Sequence, residues 1–525
     1  MVPSFIDRFG EKIMGVINGF DRIVFKGIFQ PLMHAGGVYS LLSRNGCKNT
    51  EFKEWMDAQT KRIERSAERF SREHCGEKVQ YLRTWRERKE ELAHEKQKKR
   101  GIESGVIGVW SCLESGMTYQ ATYVEGASRP ALKKCWKPQK HLYFYMDDPT
   151  YGFMNIRLQT WFPYSIQICM NGREWLRRSL ETEQIAHLRK GNKFLHIEDY
   201  GRAQALLSQQ LDTQWNTVLD QFIPFVFPDM ESILWGGLTY YWTLWQSEWA
   251  TDMIFKSQDY LESQMDRFRQ HAFMTGNSGR ILNYMGHPID DIKNLPRNFK
   301  RQISSRLGDF GDFHEGGRVK HWMGCNSVKL YNEYNILRVE MTMNEPKDFK
   351  AFRHKQGEPT TEKKTLCPLR KGVADIPLRA KVSQQINDRF LDNMGQVKND
   401  RPVSELLDMV TRGFIKNGKK VRGLDPLGKD LEILRLLADP KVEIDGVTNK
   451  SLRPNLAKTK WGKGRTDRQL SARLSRAIRL LRDHGVLHKV PKQRKYRLSK
   501  LGRILVMTTT GIRSTTIEKL LEPAA

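Results

Sequence analysis

The stretch that most constrains this 525-residue chain lies near its end, at residues 466–505. Leu470, Leu474, Ala477, Ile478 and Leu481 recur at three- and four-residue steps, which predicts a helix with one buried face. Thr466 is placed to cap that helix, and Gly485, just past Asp483-His484, to stop it. Residues 486–490 and 495–498 then alternate as two short strands around the basic turn Pro491-Lys492-Gln493-Arg494. A helix followed by a hairpin with a basic tip is the second half of a winged helix-turn-helix.

The charge agrees with that reading. Between positions 457 and 503 stand sixteen Lys and Arg against only Asp467 and Asp483, a surplus of +14 within a chain whose net charge is +28. A charge run is most often a solvated face. Here helix, hairpin and charge coincide, and the combination reads as a phosphate-facing surface. Contacts are expected from Arg468, Arg473, Arg476 and Arg479 on the helix, and from Lys492, Arg494, Lys495 and Arg497 on the wing.

Upstream, residues 430–438 predict a first helix, and 448–452 open a second that Leu452 and Leu456 pack. The order resembles the MarR-like winged-helix domain, over roughly the last fifth of the chain. Pro454 departs from the pattern, because a proline kinks or shortens a helix from within.

A chain of this length has room for several domains, and 39% hydrophobic residues with thirteen tryptophans excludes a disordered basic protein. The pI near 9.7 calls for a polyanionic partner. The first fourteen residues carry charges where a secretory leader would be apolar, and the most apolar run, 233–245, is too short to span a bilayer. Seven scattered cysteines form no CxxC pair. The expectation is a cytoplasmic protein without a membrane partner, binding RNA or DNA, with homodimerisation open.

The fold expected is multi-domain α+β: a mixed N-terminal body with antiparallel hairpins, plus the winged helix. Segment boundaries are read at 1–100, 101–300, 301–422 and 423–525. Residues 19–29 predict an early strand, 51–75 a helix, 82–100 a charged helix and 102–112 a buried strand. Residues 141–175 are the densest strand region. There Tyr143, Tyr145, Arg157, Gln159 and Trp161 either form a base-stacking face or belong to the core. Helices are expected over 184–219, from about 248 to 271, and over 380–407. The aromatic cluster Trp235, Tyr240, Tyr241, Trp242, Trp245 and Trp249 is read as helical core. The segment 297–320 is basic, and Arg318 and Lys320 are added to the nucleic-acid contacts. Strands at 326–331 and 337–343 make a hairpin, and 416–422 reads as a linker.

FDRIVFKG at 20–27, RLQTWFPY at 157–164, NGREWL at 171–176, WATDMIF at 249–255 and LRVEMTMNEPKDF at 337–349 resemble a family of bacterial proteins of about this length. That family is labelled by its MarR-like C-terminal domain. The resemblance covers nearly the whole chain and implies no activity or residue role.

Three acids stand out as a catalytic set: Asp21 on the early strand, Asp252 at the start of the 248–271 helix, and Glu340 within the strand 337–343. Two-metal nucleases and recombinases draw carboxylates from separate elements to hold Mg²⁺ across a phosphodiester. An acid inside an apolar strand is costly unless it is paired or binds metal. Glu340 alternatively pairs with Arg338 or Arg22, or faces solvent. No cofactor is expected otherwise. A tyrosine nucleophile, Tyr331 with His321 nearby, is a weaker reading because no His-x-His metal motif accompanies it. A transcriptional regulator whose body senses a ligand is a further one.

Overall fold

The computed structural model describes residues 5–83, 88–123, 130–234, 237–276, 278–287, 303–308, 317–354, 364–395, 403–438, 446–490 and 493–514. The chain forms two compact units, a body of residues 1–286 with 296–397 and a C-terminal unit of 398–525 with 287–295. The architecture is α+β.

In chain order the body's strands are β1 (Ile13–Ile28), β2 (Gln80–Tyr81), β3 (Gly105–Thr122), β4 (Ala131–Asp148), β5 (Gly152–Gln159), β6 (Ile166–Asn171), β7 (His187–Lys190) and β8 (Lys193–Ile197). They continue with β9 (Tyr241–Phe255), β10 (Ile303–Gly308), β11 (Arg318–Met323), β12 (Asn326–Glu333) and β13 (Ile336–Met343). Of these thirteen, all but β7 and β8, which pair with each other, join one eleven-stranded sheet in the order β10-β11-β12-β13-β9-β1-β6-β5-β4-β3-β2, and the strands Lys350–Arg353 and Thr365–Pro368 form a further separate pair. Among the described residues only the β2–β3 pair is parallel.

Because directly paired residues share a face, the register sorts every side chain of this sheet. One face carries Phe25, Ile168, Ile156, Phe144 and Val109 across five neighbouring strands. It packs on the helix Phe52–Cys75 through Phe52, Met56, Ile63 and Ala67. The helix Ile376–Met394 covers the same face over β9 and β13. The opposite face is polar: Lys320 pairs with Lys329, Lys329 with Glu340, Arg22 with Glu248 and Asn171, Lys26 with Gln167, and Arg157 with Gln167 and Tyr143. At one end this face is closed by an apolar cluster. Ile17, Ile254 and Ile336 meet Leu176 and Leu180 of the helix Gly172–Thr182, and Leu206 and Leu207 of the helix Tyr200–Gln209. A Cβ on Gly172 would lie 2.2 Å from the Phe20 carbonyl oxygen, so only glycine admits that helix so close to β1.

Several sequence expectations are corrected. Residues 184–219 are not one helix: β7 and β8 turn at Gly191-Asn192 before the helices Tyr200–Gln209 and Trp215–Asp220. Residues 241–255 are the long strand β9, and the helix starts only at Gln258. The residues from Trp249 to Phe255 are all buried, so this half of the strand shows no alternation of buried and exposed positions. Of the aromatic cluster, Tyr240, Trp242 and Trp249 are core and Trp245 is exposed, while Trp235 lies outside the described residues. The charged helix is shorter than 82–100, spanning Lys89–Arg100.

The C-terminal unit orders the helices Leu431–Leu437, Asn449–Ala457 and Asp467–Asp483, the hairpin Leu487–Lys489 with Tyr496–Leu498, and the helix Lys500–Ser514. Leu434, Leu437, Leu452, Leu456, Leu470, Leu474, Ile478 and Leu481 form its core. Thr466 and Gln469 make a reciprocal cap at the start of the third helix. Pro454 sits within the second helix, which ends three residues later. Residues 416–422 are not a linker. The strands Phe414–Lys416 and Lys419–Val421 pair around Asn417-Gly418, both with left-handed φ, the preferred chemistry of a two-residue hairpin turn.

Candidate functional site

At the centre of the sheet, β13, β9 and β1 bring three acids together on the polar face. Glu248 lies opposite Thr342 on one side and Arg22 on the other, and Glu340 lies opposite Ala250. In β1 the pairing jumps from Phe20–Trp249 to Arg22–Glu248, leaving Asp21 as the extra residue of a bulge. A bulge re-aims side chains, and this one puts Asp21 beside Glu248 and Glu340. One carboxylate oxygen of each of Asp21, Glu248 and Glu340 lies within 4.8 Å of the others.

Asp252 does not belong to this group. Both its oxygens accept from Arg338, Oδ1 from Nε at 2.5 Å and Oδ2 from Nη2 at 2.7 Å, and Arg173 adds a contact at 3.0 Å. All three side chains are buried. The expected set Asp21, Asp252 and Glu340 is therefore corrected: Asp252 is saturated by two arginines, and Glu248 takes its place. The signal for Glu248 was a polar residue two and four positions from Ala250 and Asp252, visible only once 241–255 is read as a strand.

The three acids differ in their surroundings. Burial alone would raise the Asp21 carboxyl, but Arg338, Lys193 and Arg173 outweigh it and hold the group well below the usual carboxylate range. Asn192 donates to it at 2.6 Å and Arg338 lies 2.9 Å away. Glu340 is fully buried, with the Lys329 ammonium at 2.6 Å and the Tyr331 hydroxyl donating at 3.0 Å. Of the alternatives weighed for it, solvent exposure fails, and Arg338 is only a distant partner at 3.9 Å. Glu248 is pushed up to about 7, first by burial and then by the neighbouring Glu340. Lys329 and Arg22 pull the Glu248 carboxyl the other way without offsetting its burial and the Glu340 charge.

An all-carboxylate donor set suits a hard divalent cation such as Mg²⁺ or Mn²⁺. Asp21, Glu248 and Glu340 could hold a metal; Lys329 and Arg338 orient the carboxylates from the protein side.

Beside the triad the polar face opens into two adjoining clefts, of about 530 and 760 Å³. Arg22, Glu90, His94, Asn155 and Cys169 line both. Arg22 is exposed and donates from Nε to the Cys169 thiol at 3.2 Å. No carboxylate among the described residues lies within ion-pair distance of it. Arg157 is instead engaged, with Glu114 at 2.9 Å, Gln167 at 3.0 Å and His141 at 3.1 Å. Tyr143 donates to Glu114, Tyr145 and Gln159 are buried, and Trp161 packs edge-on to Phe52. This group is thus mostly a satisfied network and core, and not an open stacking face.

Tyr331 and His321 do not meet. His321 pairs with Val328, three residues from Tyr331, so the two side chains occupy opposite faces of the sheet. Tyr331 is buried against Glu340, and burial holds its hydroxyl well above the usual tyrosine range. The tyrosine-nucleophile reading has no support in this geometry.

In the C-terminal unit Arg468, Arg476 and Arg479 are exposed on the third helix, with Arg479 3.8 Å from Asp483. Arg473 is half-buried, donating to the Trp461 carbonyl at 2.7 Å and stacking 4.2 Å from its ring, so packing occupies it. Arg494 is exposed at the wing, Lys495 and Arg497 are half-buried, and Lys492 lies outside the described residues. In the body, Arg318 and Lys320 lie on the polar face of β11, where Lys320 sits 4.9 Å from the Trp322 ring. Burial, with Lys329 and Arg318 nearby, depresses the Lys320 ammonium.

No protein-family model, curated protein or solved structure matches the chain. Among the described residues no helix is long and apolar enough to cross a membrane.

Proposed function

We propose that the chain binds nucleic acid, RNA or DNA, with a basic winged helix at its C-terminus and a large body that grips a second segment. The observation that carries this reading is the basic third helix. Arg468, Arg476 and Arg479 stand exposed on the side opposite Leu470, Leu474, Ile478 and Leu481, which face the core. An amphipathic helix with arginines on its outer side and a hairpin beside it presents phosphate contacts from a rigid base. Salt-dependent binding of a labelled duplex tests it. Replacing Arg476 and Arg494 together by Ala should reduce both affinity and the dependence of affinity on salt. Equal binding by the double variant would remove this surface from the contact.

A second reading is favoured by the acidic triad: metal-dependent cutting or rejoining of phosphodiesters in the body, as in nucleases and recombinases of mobile elements. A divalent cation there would supply Lewis acidity toward a phosphoryl oxygen. Within this reading Asp21, Glu248 and Glu340 hold the ion, Lys329 fixes Glu340, and Arg22 offers a cation to the phosphate beside the triad. Incubating labelled nucleic acid with Mg²⁺ or Mn²⁺ tests it. Cleavage that is lost in Glu340→Gln while binding persists supports it; binding without cleavage under any divalent ion removes it.

A further inference from the structure

A second bulge on the polar face has a different consequence. The β1–β9 pairing jumps from Val24–Gln246 to Phe25–Leu244, so Trp245 is an extra residue, displaced from the regular alternation. Its neighbours Trp242, Leu244 and Trp249 are buried, whereas Trp245 is 41% exposed. Two ammonium groups lie over its ring, Lys26 and Lys371, each 4.5 Å from the centroid. Lys371 is fixed from the loop that pairs with this end of β9, where its carbonyl accepts from the Leu244 amide at 2.7 Å. Its ammonium lies 3.4 Å from Glu345. Lys26 has no carboxylate within ion-pair distance among the described residues. Burial and the nearby positive charges of Arg157 and Lys371 disfavour its charged form.

A cation crowded by cations beside an exposed indole is an arrangement that an anion relieves. We propose that Trp245, Lys26 and Lys371 form a subsite for an unpaired nucleotide of a nucleic-acid strand, the flanking phosphates drawing the two lysines off the ring and the base stacking on the face they uncover; this rests on the nucleic-acid reading above. Stacking on an exposed ring beside basic side chains is how proteins hold single strands without reading sequence. The position also fits the acidic triad. Lys26 lies four residues along β1 from Arg22 on the same face, about 13 Å at the rise of an extended strand. A strand seated on Trp245 would run along β1 past Arg22 toward Asp21, Glu248 and Glu340. Duplex has no free base face to offer this ring, so the subsite selects single strands.

The test uses the full chain and fluorescein-labelled 15-mers of deoxythymidine and of uridine, with a duplex of equal length, followed by anisotropy. Trp245→Ala should weaken binding of the preferred 15-mer by about tenfold or more, well beyond any loss for duplex. Trp245→Phe should recover most of it. Lys26→Ala with Lys371→Ala should lower the slope of log affinity against log salt by about 1.4, two single-strand phosphates' worth. A preference for uridine or for deoxythymidine assigns the strand to RNA or DNA, and the selective single-strand loss in Trp245→Ala supports the subsite in either case. Equal single-strand binding by wild type and Trp245→Ala, with unfolding temperatures matched, overturns the subsite and leaves the winged-helix reading standing. Equal losses for single strand and duplex overturn it as well. A wild-type chain that binds none of the three probes overturns the functional reading and the subsite with it.

Discussion

Two acidic clusters share strands β13, β9 and β1, and they differ in how their charge is balanced. Asp252 is paired with two buried arginines, with both oxygens occupied by Arg338 and a further contact from Arg173. Four residues away on the same face of β9, Glu248 stands with Asp21 and Glu340; among the described residues it has no ion pair, only a hydrogen bond from Gln246 at 3.2 Å, and its carboxyl is pushed up to about 7. The first cluster is a closed ion-pair network whose role is to let charge exist in the interior. In the second, Asp21 and Glu340 are paired with Arg338 and Lys329, and Glu248, which lines the cleft with Asp21, is the acid left without an ion pair among the described residues. The difference teaches that an acid within a buried strand is not by itself a sign of chemistry; the sign is an acid whose neighbours leave its charge unanswered.

The comparison breaks most visibly at Asp252. Asp252→Ala strands Arg338 and Arg173 in the interior and should destabilise the body by about 3–5 kcal/mol, read from denaturant unfolding. A variant of unchanged stability would place Asp252 with the open group after all. On the other side, Glu248→Gln or Glu340→Gln should fold and should weaken Mn²⁺ binding by about a hundredfold, measured by titration calorimetry or electron paramagnetic resonance. Losses of ten- to a hundredfold already follow from removing a group that only supports a ligand. Undiminished Mn²⁺ binding in both variants would sink the metal reading.

How much of this was legible beforehand follows from the same residues. The third helix of the C-terminal unit was plain, because its apolar period, its cap at Thr466 and its stop at Gly485 are all local signals. Asp21 and Glu340 could be picked out as acids in apolar strands. Glu248 could not, because β9 is buried on both faces through its second half and gives no alternation. The two bulges, at Asp21 and Trp245, exist only in the pairing of β1 with β9, more than two hundred positions apart, and no local pattern encodes them. The hairpin at Asn417-Gly418 is the opposite case: its turn chemistry is local and stands in the sequence itself.

Smaller effects sharpen the picture. For duplex, Arg476→Ala with Arg494→Ala should lower the slope of log affinity against log salt by about 1.8, two double-strand phosphates' worth. A slope that does not move would shift the contact elsewhere. The raised Glu248 pKa should also show in stability. Its folded pKa, about 7, lies above the ordinary 4.5, so the folded state holds the proton more tightly and stability falls as pH rises between those values. Glu248→Gln mimics the protonated form and should raise the unfolding temperature at pH 8 by about 1–2 °C, with little change at pH 4.5. An equal shift at both pH values would point to packing, not charge.

The most direct test of the central claim is to purify the full chain from its host without nuclease, at low salt, and to measure and sequence whatever nucleic acid remains bound. The account predicts a copurifying nucleic acid that dissociates as salt is raised, and its identity decides between RNA and DNA. A chain that emerges free of nucleic acid at low salt, and takes up none when it is added back, would contradict the account.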